Sequence, residues 1–417
     1  MRTVLFVFPT SWDARQLAAC RGRWQDRFEP VFTEPTSEDV PNVFDILGFI
    51  DAAAAAWRGR VAGVTSSSDY PGATAAAAIR ELLGLPGSPP SAVLGCSHKY
   101  ASRLLQRDAV PEATPGFALV DSADPAAADV GFPCFVKPVK GVFSMLSRRV
   151  ESREELVAFL SQDAVREFTG EYMRVFDQLR ARYTEIESGG RFFVAEELLK
   201  GRQVTVEGFV AGGDVEILGV VDSVIERNSF VRFVYPSSLP EDVQERMRDV
   251  AGRLMTRSGL ECSLFNVEMT YDDDADRVAV IEVNPRMCGQ FADLYEKVDG
   301  VSGYEVALSL AVGERPRLDR RAGPYAVAAS FPLRTFEEVR VVRAPSPEDV
   351  AAAEALHPGT LVWVECAAGG ELADFDRYED GFSCRYGIVN LGASDRDGLL
   401  ARYEEVRQRL GFELERL

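Results

Sequence analysis

Short apolar runs separated by turn residues dominate the beginning of the chain. Residues 3–8 (TVLFVF) and 61–65 (VAGVT) are rich in β-branched side chains and bounded by Pro, Gly and Ser, a pattern that predicts strands. Residues 73–83 form an alanine-rich stretch stopped at Gly84, which predicts a helix. Strands alternating with helices indicate a parallel α/β lobe. The turn-rich GLPGSPP at 84–90 closes it, so residues 1–95 are assigned to this lobe.

Farther on, the periodicity predicts a helix over 97–108 and a strand over 132–138 with Lys137 near its end. Ser152 and Glu155 have the spacing of a capping box, which starts a helix there. Two strands follow at 192–199 and 203–210, split by Lys200-Gly201-Arg202. Over 241–258, apolar Val243, Met247, Val250, Ala251 and Leu254 recur at helical spacing, so one face is buried. Strands over 262–270 and 278–284 are joined by the acidic turn Asp272-Asp273-Asp274-Ala275-Asp276. Beyond Gly313 come strand-like runs at 326–331, 361–366 and 386–391, then an amphipathic helix from about 395. The pattern divides into lobes 1–95, 96–198, 199–314 and 315–417. Apart from the alanine run 52–56, no repeat or low-complexity tract interrupts it.

A chain of 417 residues with 46% hydrophobic content is long enough for several packed lobes. With 46 Lys and Arg against 65 Asp and Glu, the net charge is −19, which repels nucleic acid and leaves any anionic ligand to a few placed cations. The seven cysteines are scattered and form no C-x-x-C pair, as expected of reduced packing residues. Only His98 and His357 occur, which disfavours a histidine-rich zinc site and a Ser-His-Asp triad. The apolar run 1–9 is too short for a signal peptide, and no stretch of about 20 apolar residues follows. A soluble, cytoplasmic protein without membrane partners is expected.

The acidic hairpin carries the strongest chemical signal. Strand alternation puts Asn266 and Glu268 on one face, and Glu282 and Asn284 on one face of the next strand. Paired in register, the two carboxylates would repel one another unless a cation neutralised them, and hard oxygen donors suit Mg²⁺ bridging phosphates. For Glu268 alone, a solvated outer strand face would be the simpler explanation. The string Ile281-Glu282-Val283-Asn284-Pro285-Arg286 shifts the balance by setting a guanidinium two residues after Asn284, where it can neutralise charge on a transferred phosphoryl group or an oxyanion.

With E-x-N-P-R as its most specific piece, the chain resembles the ATP-grasp superfamily in order across roughly residues 60–315. The resemblance implies α/β and α+β multi-lobe architecture: a Rossmann-like parallel lobe, the two-lobe ATP-grasp fold, and a C-terminal β-rich lobe. It implies ATP with Mg²⁺ (or Mn²⁺) held by Glu268, Glu282 and Asn284, with Arg286 catalytic. Lys99 and Lys137 match the family's phosphate-contacting lysines. Glu196, Glu197, Leu198 and Leu199 look like the interlobe hinge whose backbone lines adenine, and Gln203 stands where the family commonly has an acid on the ribose. The usual Gly- and Ser-rich flap is replaced by Val139-Lys140-Gly141-Val142-Phe143-Ser144-Met145, with Ser144 and local amides as phosphate contacts.

The implied reaction activates a carboxylate as an acyl-phosphate and couples it to an amine, most similar to amino-acid ligases that make dipeptides. The substrates would be small molecules, and a homodimer is compatible with the resemblance. Carboxylating members of the superfamily and a non-catalytic ATP-binding regulator are the alternatives, the latter suggested by the altered flap.

Overall fold

The computed structural model describes residues 1–36, 44–141, 145–372 and 383–417. Strand β1 (Arg2–Phe6) pairs in parallel with β2 (Phe28–Phe32) and β3 (Gly63–Thr65), in the order β2-β1-β3. Val4, Leu5 and Phe6 are buried, as an apolar run covered on both faces requires. The predicted alanine-rich helix is Thr74–Leu83, with Ala75 to Ile79 buried, and Gly84 ends it in the left-handed conformation (φ 67°). The alanine run 52–56 lies in helix Ile46–Trp57, capped by the Asp45 side chain accepting from Gly48 N.

The next sheet is antiparallel, made of β4 (Phe117–Asp121), β5 (Cys134–Pro138), β6 (Arg148–Val150) and β7 (Phe192–Glu196) in the order β4-β7-β5-β6. Helix Arg153–Leu160 begins at Ser152, whose hydroxyl accepts from Glu155 N at 3.3 Å. The return bond of the expected capping box shifts by one residue: Glu155 accepts from Glu151 N at 2.9 Å.

A larger sheet joins β8 (Arg202–Ala211), β9 (Asp214–Glu226), β10 (Ser229–Tyr235), β11 (Ser263–Asp272), β12 (Arg277–Asn284), β13 (Val327–Thr335), β15 (Leu361–Val364) and β16 (Cys384–Ala393). Its order is β12-β11-β8-β9-β10-β13-β16-β15. Strand β14 (Val339–Arg343) pairs apart from it with β17 (Glu413–Arg416). The strands beyond residue 315 therefore continue the sheet that carries the acidic hairpin, through antiparallel pairing of Phe233 with Ser330. Helix Glu241–Thr256 buries Val243, Met247, Val250, Ala251 and Leu254 on the face that the periodicity predicts. The closing helix, Arg396–Leu410, is capped by Asp395 accepting from Gly398 N at 2.7 Å.

Strand β7 stops at Glu196, three residues short of the predicted end, because the chain must leave the sheet to reach β8 through Gly201. Gly201 has φ +100°, and a Cβ there would collide with the carbonyl of Tyr271. Gly201→Ala is expected to cost about 1–3 kcal/mol, read as a lower urea midpoint at unchanged slope.

Candidate active site

Strands β11 and β12 pair Asn266 with Asn284, Val267 with Val283, and Glu268 with Glu282. The two carboxylates thus stand directly opposite on one face. The next pair is Met269 with Val280, so Ile281 is an extra, bulged residue. The backbone there bonds outside the ladder. Val280 O accepts from Arg103 Nη1 at 2.9 Å, and Ile281 O accepts from Arg103 Nη2 at 2.6 Å and Lys137 Nζ at 3.2 Å.

Strand β8 flanks β11 on its other side, pairing Glu207 with Asn266 and Thr205 with Glu268. Glu207 accepts from Asn266 Nδ2 at 3.3 Å and from Cys288 N at 2.5 Å. Gln203 Nε2 donates to Glu268 Oε2 at 3.0 Å, and Asn284 Nδ2 donates to Glu268 Oε1 at 3.3 Å. Polar side chains of the two flanking strands therefore hold Glu268 in place.

Cations reach this face from other elements. Lys99 opens helix Lys99–Ala109, where His98 caps by accepting at Nδ1 from Ala101 N. Its Nζ lies 3.0 Å from Glu282 Oε2 and donates to Gly141 O at 3.2 Å. Lys137, near the end of β5, lies 2.9 Å from Glu196 Oε2. Arg103 grips both oxygens of Glu196, at 2.8 and 3.1 Å. From the parallel lobe comes Asp69, which pairs with Lys140 at 2.7 Å through one oxygen and with Arg286 at 3.5 Å through the other. Lys99, Arg103, Lys140, Ile281, Glu282 and Asn284 line a cleft of about 260 Å³, open solvent included.

Burial and charge split the carboxylates. Burial pushes Glu268 up, and the facing Glu282 adds to the shift. Burial acts the same way on Glu282, but Lys99 and Lys137 overcome it and hold that carboxyl well below its usual range. Glu282 is thus the ionised member of a coupled pair. Asp69 and Glu196 are likewise held low against burial, by Lys140 with Arg286 and by Lys137 with Arg103 respectively. Glu207, which among the described residues has no cation at contact distance, is pushed up to about 7 by burial.

Two opposed carboxylates and neighbouring carboxamide oxygens form a hard-oxygen set whose repulsion a divalent cation would relieve, so they fit Mg²⁺ or Mn²⁺. Among the described residues no cluster of three or more His, Cys, Asp or Glu forms a metal cage. Oxygen atoms of a bound ligand and water would have to complete the shell.

Other predicted residues fall nearby. Glu196 is the buried anchor described above. The Glu197 carboxylate turns outward to Arg277 and to Gly116 N, which donates to it at 3.1 Å. Leu198 and Leu199 follow β7 as non-sheet chain and are half-buried, leaving the backbone as their available polar surface. Gln203 sits on Glu268. Ser144 lies outside the described residues.

The sequence reading gave no role to Asp69, Arg103, Lys140, Glu207 or Asn266. Two of these had a visible signal. Glu207 is the lone acid in the apolar strand VTVEGFV. Asn266 has the parity of Glu268. Asp69 had no such signal, since its approach depends on how the parallel lobe docks.

The structure is thus a multi-lobed α/β and α+β protein in which Lys137 of a small antiparallel sheet and Lys99 of a neighbouring helix meet acids of a large sheet. Comparison with known proteins defines the class further. Residues 130–293 match the ATP-grasp domain family. The uncharacterized protein y4rH of Sinorhizobium fredii is 28% identical over 287 residues, 65% of this chain and 53% of that protein. The D-alanine–D-alanine ligase of Kineococcus radiotolerans is 32% identical over 162 residues, 37% of this chain and 39% of that enzyme. The chain therefore spans about half or less of the length of these two relatives. The crystal structure of an L-amino acid ligase from Bacillus licheniformis superposes with a TM-score of 0.78 at 18% identity, covering 99% of this chain and 98% of that one. Residues 130–293 carry an ATP-grasp domain, and the chain as a whole shares the fold of that amino acid ligase structure.

Proposed function

We propose that this protein is an ATP-dependent ligase that activates a carboxylate, an amino acid's among the first candidates, as an acyl-phosphate and couples it to an amine. The observation that carries this is the direct opposition of Glu268 and Glu282 beneath Lys99, Lys137, Lys140 and Arg286. Acids alone would repel a triphosphate and cations alone would bind one without placing a metal, whereas the mixed cluster does both.

In this reading Glu268, Glu282 and Asn284 would hold the divalent ion, which would supply charge neutralisation on the nucleotide phosphates. Lys99 and Lys137 draw negative charge from those phosphates, and the backbone of Glu197, Leu198 and Leu199 reads adenine's edge. Gln203 reaches the ribose by leaving Glu268. A substrate carboxylate oxygen attacks the γ-phosphorus and ADP leaves with the bond's electron pair. The amine then attacks the acyl carbon, phosphate departs, and the nitrogen loses a proton. Arg286, freed from Asp69, faces the developing oxyanion. No enzyme nucleophile is needed.

The test is ADP release from Mg-ATP with pooled amino acids, followed by mass spectrometry of the products. Substrate-stimulated ADP release with a new amide is the expected result, and chelation with excess EDTA should reduce it to background. Tight ATP binding without substrate-stimulated turnover would instead identify a regulator.

A further inference from the structure

Arg80 is buried, at 7% exposure, and its Nε has no hydrogen-bond partner among the described residues. Burial lowers its pKa to about 10, and among the described residues no carboxylate pairs with it, the neutral Cys262 thiol being its one titratable neighbour of influence. An unpaired buried guanidinium is costly, so such a group calls for an anion. Its fork lies over Gly87, where a Cβ would collide with it. It lines a crevice with an inner void of about 40 Å³, or about 510 Å³ with open solvent included, together with Thr65, Ser67, Cys262, Ser263 and Arg286.

Two placements give this crevice meaning. It lies at the carboxyl ends of β1 and β3, where Phe6 and Thr65 end their strands, the usual ligand position on a parallel sheet. It also runs to Arg286, so a molecule held at Arg80 extends toward the phosphate cluster.

We propose that Arg80 is the anion subsite of the amine substrate, which is therefore an amino acid or short peptide carrying a free carboxylate, held there while its amine points toward Arg286. This inference rests on the ligase reading for the amine's role, but the subsite itself does not need turnover. The planar fork of Arg80 would take the carboxylate through two parallel hydrogen bonds.

The probes are L-alanine, L-methionine and L-phenylalanine with their carboxamides, given to wild type, Arg80→Met and Arg80→Lys. In thermal melting without ATP, the free acids should raise the wild-type midpoint and the amides should not, and the difference should vanish in Arg80→Met. In ADP release, kcat/KM for the free acids as amine donors should exceed that for the amides by about 10²-fold or more. Arg80→Met should bring the ratio near one without changing ATP binding, and Arg80→Lys should recover part of it. Replacing an unpaired buried charge with an apolar chain of similar size is tolerated, so Arg80→Met should melt no lower than wild type without ligand. A lower midpoint with acid preference intact would make Arg80 structural and overturn the proposal, as would equal melting shifts from acids and amides in wild type. Acid-specific melting shifts without any ADP release would keep the subsite and remove the ligase reading.

Discussion

Arg286→Ala is expected to lose about 10²–10³-fold in substrate-stimulated ADP release, the usual cost of removing one preorganised donor to developing charge. The ligand-free melting temperature should stay near that of wild type. Arg286 is half-buried beside Asp69 at 3.5 Å, while Asp69 keeps Lys140 at 2.7 Å when the guanidinium goes, so no carboxylate is stranded. Glu282→Gln should match it in turnover by leaving Lys99 without its counter-charge and weakening the proposed metal-holding pair. Near wild-type rates in both variants would defeat the site assignment.

Arg103→Met is expected to have the largest effect on folding, about 3–5 kcal/mol, because it breaks a buried pair by removing one partner. Arg103 is 1% exposed and joins Glu196 of β7 to the carbonyls of Val280 and Ile281 in β12. Its loss strands polar groups in both sheets at once. Chemical denaturation would show the drop as a shifted midpoint, and Arg103→Lys should restore only a fraction, since one ammonium cannot serve both oxygens of Glu196 and two carbonyls. A shift below about 1 kcal/mol, the worth of an exposed pair, would contradict the role assigned to this residue.

Local pattern made much of this architecture legible. The parity of Asn266, Glu268, Glu282 and Asn284 needed only the two-residue repeat of a strand, and the helix over 241–256 needed only its apolar spacing. The bulge at Ile281 was not legible, because register depends on how two strands twist together rather than on either one alone. Strands β9 and β10 also escaped notice, since DVEILGVVDSVIE and SFVRFVY mix faces across an irregular pairing between Phe230 and Arg232. Arg103 and Lys140 look like solvated cations in sequence. What makes them interior is the approach of Glu196 and Asp69 from distant elements.

The continuity of the large sheet from β12 to β15 has a practical meaning for dissecting this protein. Cutting the chain after the acidic hairpin would not release a finished unit, because β10 would lose β13 and present a bare row of amide and carbonyl groups. Such an exposed border is a template for another copy to add a strand. A fragment ending there would self-associate, and its poor behaviour would say nothing about the chemistry of the cleft.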